Sequence, residues 1–213
     1  MNHNTARLTS LACALIAGTL VLAGCSSDSD HEGMAGMSGT ASSDSSAAST
    51  DASAEFNDAD VAFAQGMLPH HQQAVDMAAL ATDRAADAGV RDLAARIQSA
   101  QGPEIDTLSG WLQAWGADAS ASDGMDHGSM DHGDMGGMMS TEDMEALASA
   151  SGTEFDRQFL TLMTEHHRGA VSMAETEIAD GQNSDAIAMA ESIRDTQNTE
   201  ITEMQQLLSQ LGG

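Results

Sequence analysis

Residues 60–78 read DVAFAQGMLPHHQQAVDMA, and residues 156–174 read DRQFLTLMTEHHRGAVSMA. The two copies align without a gap, with Asp156 lying 96 positions after Asp60. The same offset continues into the segments that follow, because Ala94, Ile97, Gln101, Glu104 and Ile105 return as Ala190, Ile193, Gln197, Glu200 and Ile201. Self-similarity at a fixed offset indicates one structural unit built twice.

Apolar residues in both copies recur at helical spacing. The pattern predicts helices over about 58–87, 90–115, 153–180 and 184–211, with a further short helix at 140–149. Neither hairpin can bury its apolar face alone, so we expect an all-α four-helix bundle made of two helical hairpins. The helices are predicted to stop at Gly89, Gly116, Gly181 and Gly212. Pro69 and Pro103 are expected to kink or restart the first two helices.

One helical face in each copy combines imidazole with thioether. In the first copy Asp60, Phe63, Met67, His70, Ala74 and Met77 step by three and four residues, and the second copy repeats the series. Methionine and histidine together suit Cu(I), and histidine alone suits Cu(II) or zinc. The predicted metal ligands are Met67, His70, His71 and Met77, with Met163, His166, His167 and Met173.

A plainer interpretation is that these side chains only fill the core, since Met packs well and a single buried His is often structural. Four histidines in two equivalent pairs are harder to explain in this way, because each neutral ring needs partners for two nitrogens. Polar residues on the same helices are predicted to accept hydrogen bonds from metal-bound imidazoles, the alternative being surface or cap positions. They are Asp60, Gln101, Glu104, Asp156, Gln197 and Glu200.

The N-terminal residues 1–24 have the features of a bacterial lipoprotein signal peptide, with an apolar run that ends in Leu-Ala-Gly before Cys25. We therefore expect lipidation at Cys25 and export to the cell envelope, with the lipid as the only membrane contact. The alternatives are an ordinary signal peptide and an uncleaved anchor. Residues 25–54 are predicted to be a flexible tether. The bundle is predicted to occupy 55–213, as repeat 1 (55–118), a loop (119–152) and repeat 2 (153–213).

Two stretches outside the predicted helices carry the same metal-binding residue types. The whole chain has a net charge of −26, which disfavours binding to nucleic acid and attracts cations. Short His-rich tracts often bind metals, although an acidic low-complexity linker is the plainer interpretation. The predicted auxiliary ligands are His31, Met34, Met37, Met125, His127, Met130, His132, Met135, Met138 and Met139.

The pattern Asp-x-x-Phe-x-x-x-Met-x-x-His-His-x-x-Ala-Val-x-Met-Ala, present twice, resembles the bacterial "domain of unknown function 305" family. The resemblance covers about residues 55–213. It implies a ferritin-like four-helix bundle, often exported, and some members are periplasmic copper-binding proteins. Carried over residue by residue, it implies the same eight Met and His ligands as the helical spacing does.

We therefore expect a copper-binding protein that sequesters, buffers or hands over copper, with Cu(I) favoured and Cu(II) possible, and with a copper-handling protein as a possible partner. An enzyme is not expected, because no assignable catalytic motif such as His-Glu-x-x-His is present. Where ferritin-like iron sites use Glu-x-x-His, this chain has Met67-x-x-His70 and Met163-x-x-His166. The alternatives are a ferritin-like copper or iron oxidase and a structural or interaction helical lipoprotein.

Overall fold

The structure, a computed structural model, describes residues 55–119 and 136–212. These residues form five α-helices and no strand, which confirms the predicted all-α class. The helices are α1 (Asp58–Arg84), α2 (Ala88–Trp115), α3 (Thr141–Ser149), α4 (Gly152–Asp180) and α5 (Ser184–Leu211). The four long helices follow the predicted ones closely, and the short α3 lies where an extra helix was expected.

Local chemistry sets the helix ends and corrects one prediction. Asp87 begins α2, because its side chain accepts a hydrogen bond from the backbone N–H of Val90 at 3.2 Å. Gly89 therefore lies inside α2, and the prediction that a helix stops there is wrong. Gly116 ends α2 as predicted, with a φ of 67° that glycine adopts without strain. Both α1 and α2 continue through their prolines, so neither proline starts a new helix.

The two hairpins, α1–α2 and α4–α5, pack together chiefly through α1 and α4. These two helices run antiparallel: the end of α1 reaches the start of α4, where Arg84 donates to the carbonyl of Ala150 at 3.2 Å. His70 and His166, which are equivalent in the repeat, meet in the middle of the pair. The repeat therefore appears in space as an approximate two-fold arrangement whose centre lies between these two rings.

Two separate apolar clusters form the core of the bundle. One contains the second half of α1, the first halves of α2 and α4, and parts of α3 and α5. The other contains the first half of α1, the second halves of α2 and α4, and the first half of α5. Between them lies a set of polar residues that we call the polar layer: His70, His71, Gln101, Glu104, His166, His167, Gln197 and Glu200.

A buried aspartate from each repeat binds the helix connection of the other. Asp156 accepts hydrogen bonds from the backbone N–H groups of Ala86 and Asp87, at 3.1 and 3.0 Å, in the connection between α1 and α2. Asp60 in turn accepts from Gln182 and Asn183, between α4 and α5. Each hairpin connection is therefore held by a carboxylate from the opposite hairpin.

Glu177 has no counterpart in the first repeat, where the equivalent residue is Ala81. Its side chain is buried, and among the described residues no N–H group donates to its carboxyl oxygens. Burial and the neighbouring Asp60 raise the pKa of Glu177 to about 8. For Asp60, burial acts in the opposite direction, but hydrogen bonds from Asn57, Asn183 and Gln182 and from Glu177 lower its pKa. Glu177 is therefore the protonated member of this carboxyl pair near neutral pH.

This pair predicts a specific dependence of stability on pH. A carboxyl group whose pKa is raised on folding stabilises the protein fully below its unfolded pKa of 4.5, and that contribution is lost as pH rises towards about 8. We expect the wild type to lose free energy of unfolding between pH 6.5 and 8, and E177Q to lose less. Urea unfolding measured across this range tests the prediction. The exposed neighbour gives a control, E175Q, which should follow the wild type; equal slopes for all three proteins would contradict it.

Residues 1–54 lie outside the described part of the chain. The predicted signal peptide, the lipid on Cys25 and the tether therefore stay predictions. Among the described helices, none combines the length and the apolar character needed to cross a membrane.

Candidate metal centre

Four histidines from the two repeats meet at the centre of the bundle. His70 and His71 come from α1, and His166 and His167 come from α4. All four are at most 1 % exposed. The rings of His70 and His166 are in contact, with centroids 3.7 Å apart and planes tilted by 38°. The two histidine pairs therefore form one cluster instead of two separate ones.

Two of the histidines are held by carboxylates from the neighbouring helices. His71 Nε2 lies 2.8 Å from Oε2 of Glu104 on α2, and His167 Nε2 lies 2.7 Å from Oε2 of Glu200 on α5. A carboxylate can only accept a hydrogen bond, so each Nε2 donates, and in the neutral form of each ring the lone pair lies on Nδ1. Metal-bound imidazoles are usually held in place by a hydrogen bond from their second ring nitrogen to a carboxylate. Glu104 and Glu200 make contacts of this kind.

Most of the ring nitrogens in this cluster have no hydrogen-bond partner within residues 55–119 and 136–212. Nδ1 is without a partner in all four histidines, and His166 also lacks one for Nε2. A neutral imidazole has one N–H, so His166 leaves at least one buried donor unsatisfied, which costs about 1–3 kcal/mol. Buried groups that remain without partners in this way point to a function. Here they are nitrogen donors of the type that borderline and soft metals prefer.

The electrostatics of the cluster keep two of these rings neutral. Burial, assisted by the nearby His71 and His167, lowers the pKa of His70 to about 3. Burial and the other three histidines also place the pKa of His166 well below its usual value. A metal can bind imidazole only when a ring nitrogen is deprotonated. His70 and His166 are therefore ready to bind an ion at neutral pH without first losing a proton.

The structure divides the four predicted methionine ligands into two groups. Met67 and Met163 are fully buried, one turn before the histidines of their own helices. Met77 and Met173 lie seven residues beyond His70 and His166, about 10 Å along each helix. Met77 belongs to one apolar cluster, and Met173 packs at the edge of the other. Met67 and Met163 therefore stay candidate ligands one turn from the histidines, and the ligand role of Met77 and Met173 stays a prediction.

The predicted hydrogen-bonding residues also divide. Asp60 and Asp156 accept hydrogen bonds from the helix connections. Each lies ten residues before the first histidine of its helix, about 15 Å along the helix axis, which is too far to reach the rings. Their predicted role beside the imidazoles is wrong, and for Asp60 the alternative of a helix-start position holds, because it completes the capping box of α1. Gln101 and Gln197 are buried in the polar layer with Oε1 unpartnered, and neither is bonded to a histidine.

A short backbone segment also touches the cluster, and the sequence singled out only its two methionines, Met138 and Met139. Residues 136–139, which we call the strap, precede α3, and the carbonyl of Gly136 lies 3.3 Å from His70 Nε2. Met138 and Met139 are half-buried in the strap, and Met139 packs against an apolar cluster. The signals in the sequence were Gly136-Gly137 and Gly169, a helical glycine where the other repeat has Gln73. The other predicted auxiliary ligands, from His31 to Met37 and from Met125 to Met135, lie outside the described residues.

Within residues 55–119 and 136–212, no three His, Cys, Asp or Glu side chains already converge on a point where a metal could sit. The rings of His70 and His166 are in contact at a centroid distance of 3.7 Å, which leaves no space for an ion between them. An ion bound between these two rings would have to separate them. Thioethers from Met67 and Met163 would complete a soft donor set.

The family profile for "Domain of unknown function (DUF305)" matches residues 60–208. The chain belongs to this family. The match includes both histidine pairs, Glu104, Glu200 and the strap, and the predicted resemblance is thereby confirmed. No curated protein matches the chain.

Solved structures of DUF305 proteins share this fold. A protein from Streptomyces coelicolor, described as secreted, is 34% identical, with a TM-score of 0.66 over 73% of this chain and 94% of its own. A DUF305 fragment from Deinococcus radiodurans is 32% identical, with a TM-score of 0.64 over 74% of this chain and 99% of its own. A protein named CopM, in its Cu(I)-bound form, is 30% identical, with a TM-score of 0.59 over 72% of this chain and 98% of its own.

Proposed function

We propose that this DUF305 protein binds copper ions at the cell envelope, and that its role is to sequester, buffer or hand over the metal. The observation that carries the proposal is the central cluster of four buried histidines, two from each repeat. Five of their ring nitrogens have no hydrogen-bond partner in the part of the chain that the structure describes. A helical bundle would not need such a cluster for its stability, since apolar residues fill the equivalent positions above and below it.

The choice of copper follows from the donor types. Imidazole nitrogen is a borderline ligand and thioether sulfur is a soft one, and together they favour Cu(I) over hard cations. CopM, a similar protein, has been crystallised in Cu(I)-bound, Cu(II)-bound and silver-bound forms. The likeness supports copper as the cargo of this chain, with Cu(I) the favoured state and Cu(II) the alternative.

A binding role fits the polar layer better than an oxidase role does. Ferritin-like oxidases bind their metals largely through carboxylates in the bundle core. The two carboxylates of the polar layer, on Glu104 and Glu200, instead accept hydrogen bonds from His71 and His167. They orient imidazoles and supply negative charge that compensates a bound cation. We therefore propose that the protein is not an enzyme.

The location of the protein is proposed from its N-terminal sequence. The apolar run that ends at Cys25 is typical of lipoproteins, and one relative is described as secreted. We propose export and attachment to the envelope by a lipid on Cys25. The Met and His residues between His31 and Met37 and between Met125 and Met135 would then capture ions near the bundle.

A titration of the purified protein against a chromophoric Cu(I) chelator tests the proposal. We expect a tight Cu(I) site and, at a hundredfold excess of copper over Kd, stabilisation of the fold by about 2.7 kcal/mol. H127A/H132A is the control, because neither residue belongs to the four-histidine cluster, and it should keep the tight site. Unchanged melting of the wild type in copper would contradict the proposal. Oxygen consumption beyond that of free copper would favour the oxidase instead.

A further inference from the structure

The strap reaches the cluster through contacts that only glycine permits. A Cβ atom on Gly169 would lie 1.5 Å from the carbonyl oxygen of Gly136 and 2.9 Å from the Cα atom of Gly137. Gly137 itself has a φ of 89°, and a Cβ there would lie 2.7 Å from the carbonyl oxygen of Glu165. The backbone of the strap therefore rests directly on the backbone of α4, one turn after His166.

The other end of the strap is held on α1. The side-chain amide of Gln73 donates to the carbonyl of Met139 at 3.0 Å, and its Oε1 accepts from the N–H of Met139 at 2.7 Å. Gln73 and Gly169 are equivalent in the repeat, each three residues after the first histidine of its pair. The strap thus crosses from α4 to α1 beside the place where the rings of His70 and His166 touch.

The strap makes the two central histidines unequal. A carbonyl oxygen can only accept, so the Gly136 contact at 3.3 Å requires a proton on His70 Nε2 and leaves the lone pair on Nδ1. Glu104 and Glu200 impose the same tautomer on His71 and His167. Among residues 55–119 and 136–212, no second segment of this kind contacts the cluster, and His166 has no such acceptor. Three of the four rings are therefore fixed with Nδ1 available, and one is left without a fixed tautomer.

We propose that the strap is a positioning element of the metal centre: Gly136 fixes the tautomer of His70, and the seated strap limits the rate at which an ion leaves the cluster. The statement about the rate of ion release rests on the proposed function, and the statement about the His70 tautomer does not. His70 and His166 are each 1 % exposed while the strap is seated, so an ion that leaves towards this side must displace it.

Two substitutions release the strap without altering a histidine. G169A places a methyl group where the Gly136 carbonyl lies, and alanine also favours the helix over glycine. Q73A removes both hydrogen bonds to Met139. The matched controls are G110A, a helical glycine with open space around it, and Q72A, the exposed neighbour of Gln73.

Two readouts are measured on the wild type and on all four variants. In the metal-free protein, ¹⁵N NMR of the imidazoles reports the tautomer; we expect His70 to be protonated at Nε2 in the wild type and the controls, and to lose that preference in G169A and Q73A. After loading with Cu(I), a chelator in excess gives the release rate. Loss of the two Gln73 hydrogen bonds should accelerate release about tenfold, and the controls should match the wild type.

The outcomes separate the two proposals. The strap inference is overturned if the His70 tautomer is unchanged in both G169A and Q73A. It is also overturned if both variants bind Cu(I) tightly and release it at the wild-type rate. Either result leaves the proposed function intact. Failure of the wild type to bind Cu(I) overturns the proposed function, and the tautomer measurement then decides the positioning role alone. If G169A loses helical signal in circular dichroism, Q73A carries the test.

Discussion

Replacement of either His70 or His166 by alanine should weaken the tight copper site by more than about 100-fold, which is beyond the range expected for loss of a residue that merely supports a ligand. The two rings come from different repeats and are in contact at a centroid distance of 3.7 Å. An ion bound beside one ring is therefore beside the other. The measurement is the Kd and stoichiometry for Cu(I) by competition with a chelator.

The double variant makes this prediction sharper. If the repeats share their site, H70A/H166A should lose little more affinity than the worse single variant, because residues that act on one ion are strongly non-additive. If each repeat bound its own ion, H70A and H166A would each keep one site of wild-type affinity, and only the double variant would lose both. A retained tight site in both single variants would refute the shared centre.

Substitution of Asp156 by alanine should give the largest loss of stability outside the core, about 3 kcal/mol, because hydrogen bonds to a charged acceptor contribute about 1.5–3 kcal/mol each. Asp156 is fully buried and holds the N–H groups of Ala86 and Asp87. D156A removes this acceptor and detaches the connection between α1 and α2 from the second repeat. Urea unfolding of the metal-free protein measures the effect.

Two further variants define the origin of that loss. D156N keeps one carbonyl acceptor and should lose roughly half as much free energy of unfolding as D156A. D76A removes an exposed aspartate of α1 and should change it by less than about 0.5 kcal/mol. Because Asp156 is remote from the rings, D156A should keep copper affinity close to that of the wild type. A large loss of affinity with little loss of stability would restore the role beside the imidazoles that the structure removes.

The helices could be predicted from the sequence because their signals are local. Apolar spacing, Gly116 and the 96-residue offset give the four long helices with ends displaced by only a few residues. The inward aim of His70 and His166 also follows from spacing, since they share a stripe with Phe63 and Phe159 in their own helices. Helical spacing gives the face on which a residue lies, however, and not its height along the bundle. For this reason Asp60 and Asp156 were placed beside the histidines.

The remaining features depend on contacts between distant segments. Glu104 reaches His71, and Glu200 reaches His167, only once each hairpin has closed. The strap contacts Gly169 of α4 at one end and Gln73 of α1 at the other, two positions that lie 96 residues apart in the sequence. The strap and the buried Glu177 are two features that differ between the repeats, and each shows as a difference in sequence. Gly169 stands where the first repeat has Gln73, and Glu177 stands where it has Ala81. Positions where a duplicated sequence departs from itself are therefore worth inspection before a structure is known.

The shared centre can be tested most directly by locating a bound ion. Silver(I) is a soft ion like Cu(I) and scatters anomalously, so a crystal of the silver-loaded protein would show its position and its ligands. If the two repeats share one centre, a silver peak should lie between α1 and α4, bonded to ring nitrogens of both the His70–His71 and the His166–His167 pairs. Silver held by one repeat alone, or only by residues outside the bundle, with the four central rings unmoved, would contradict it.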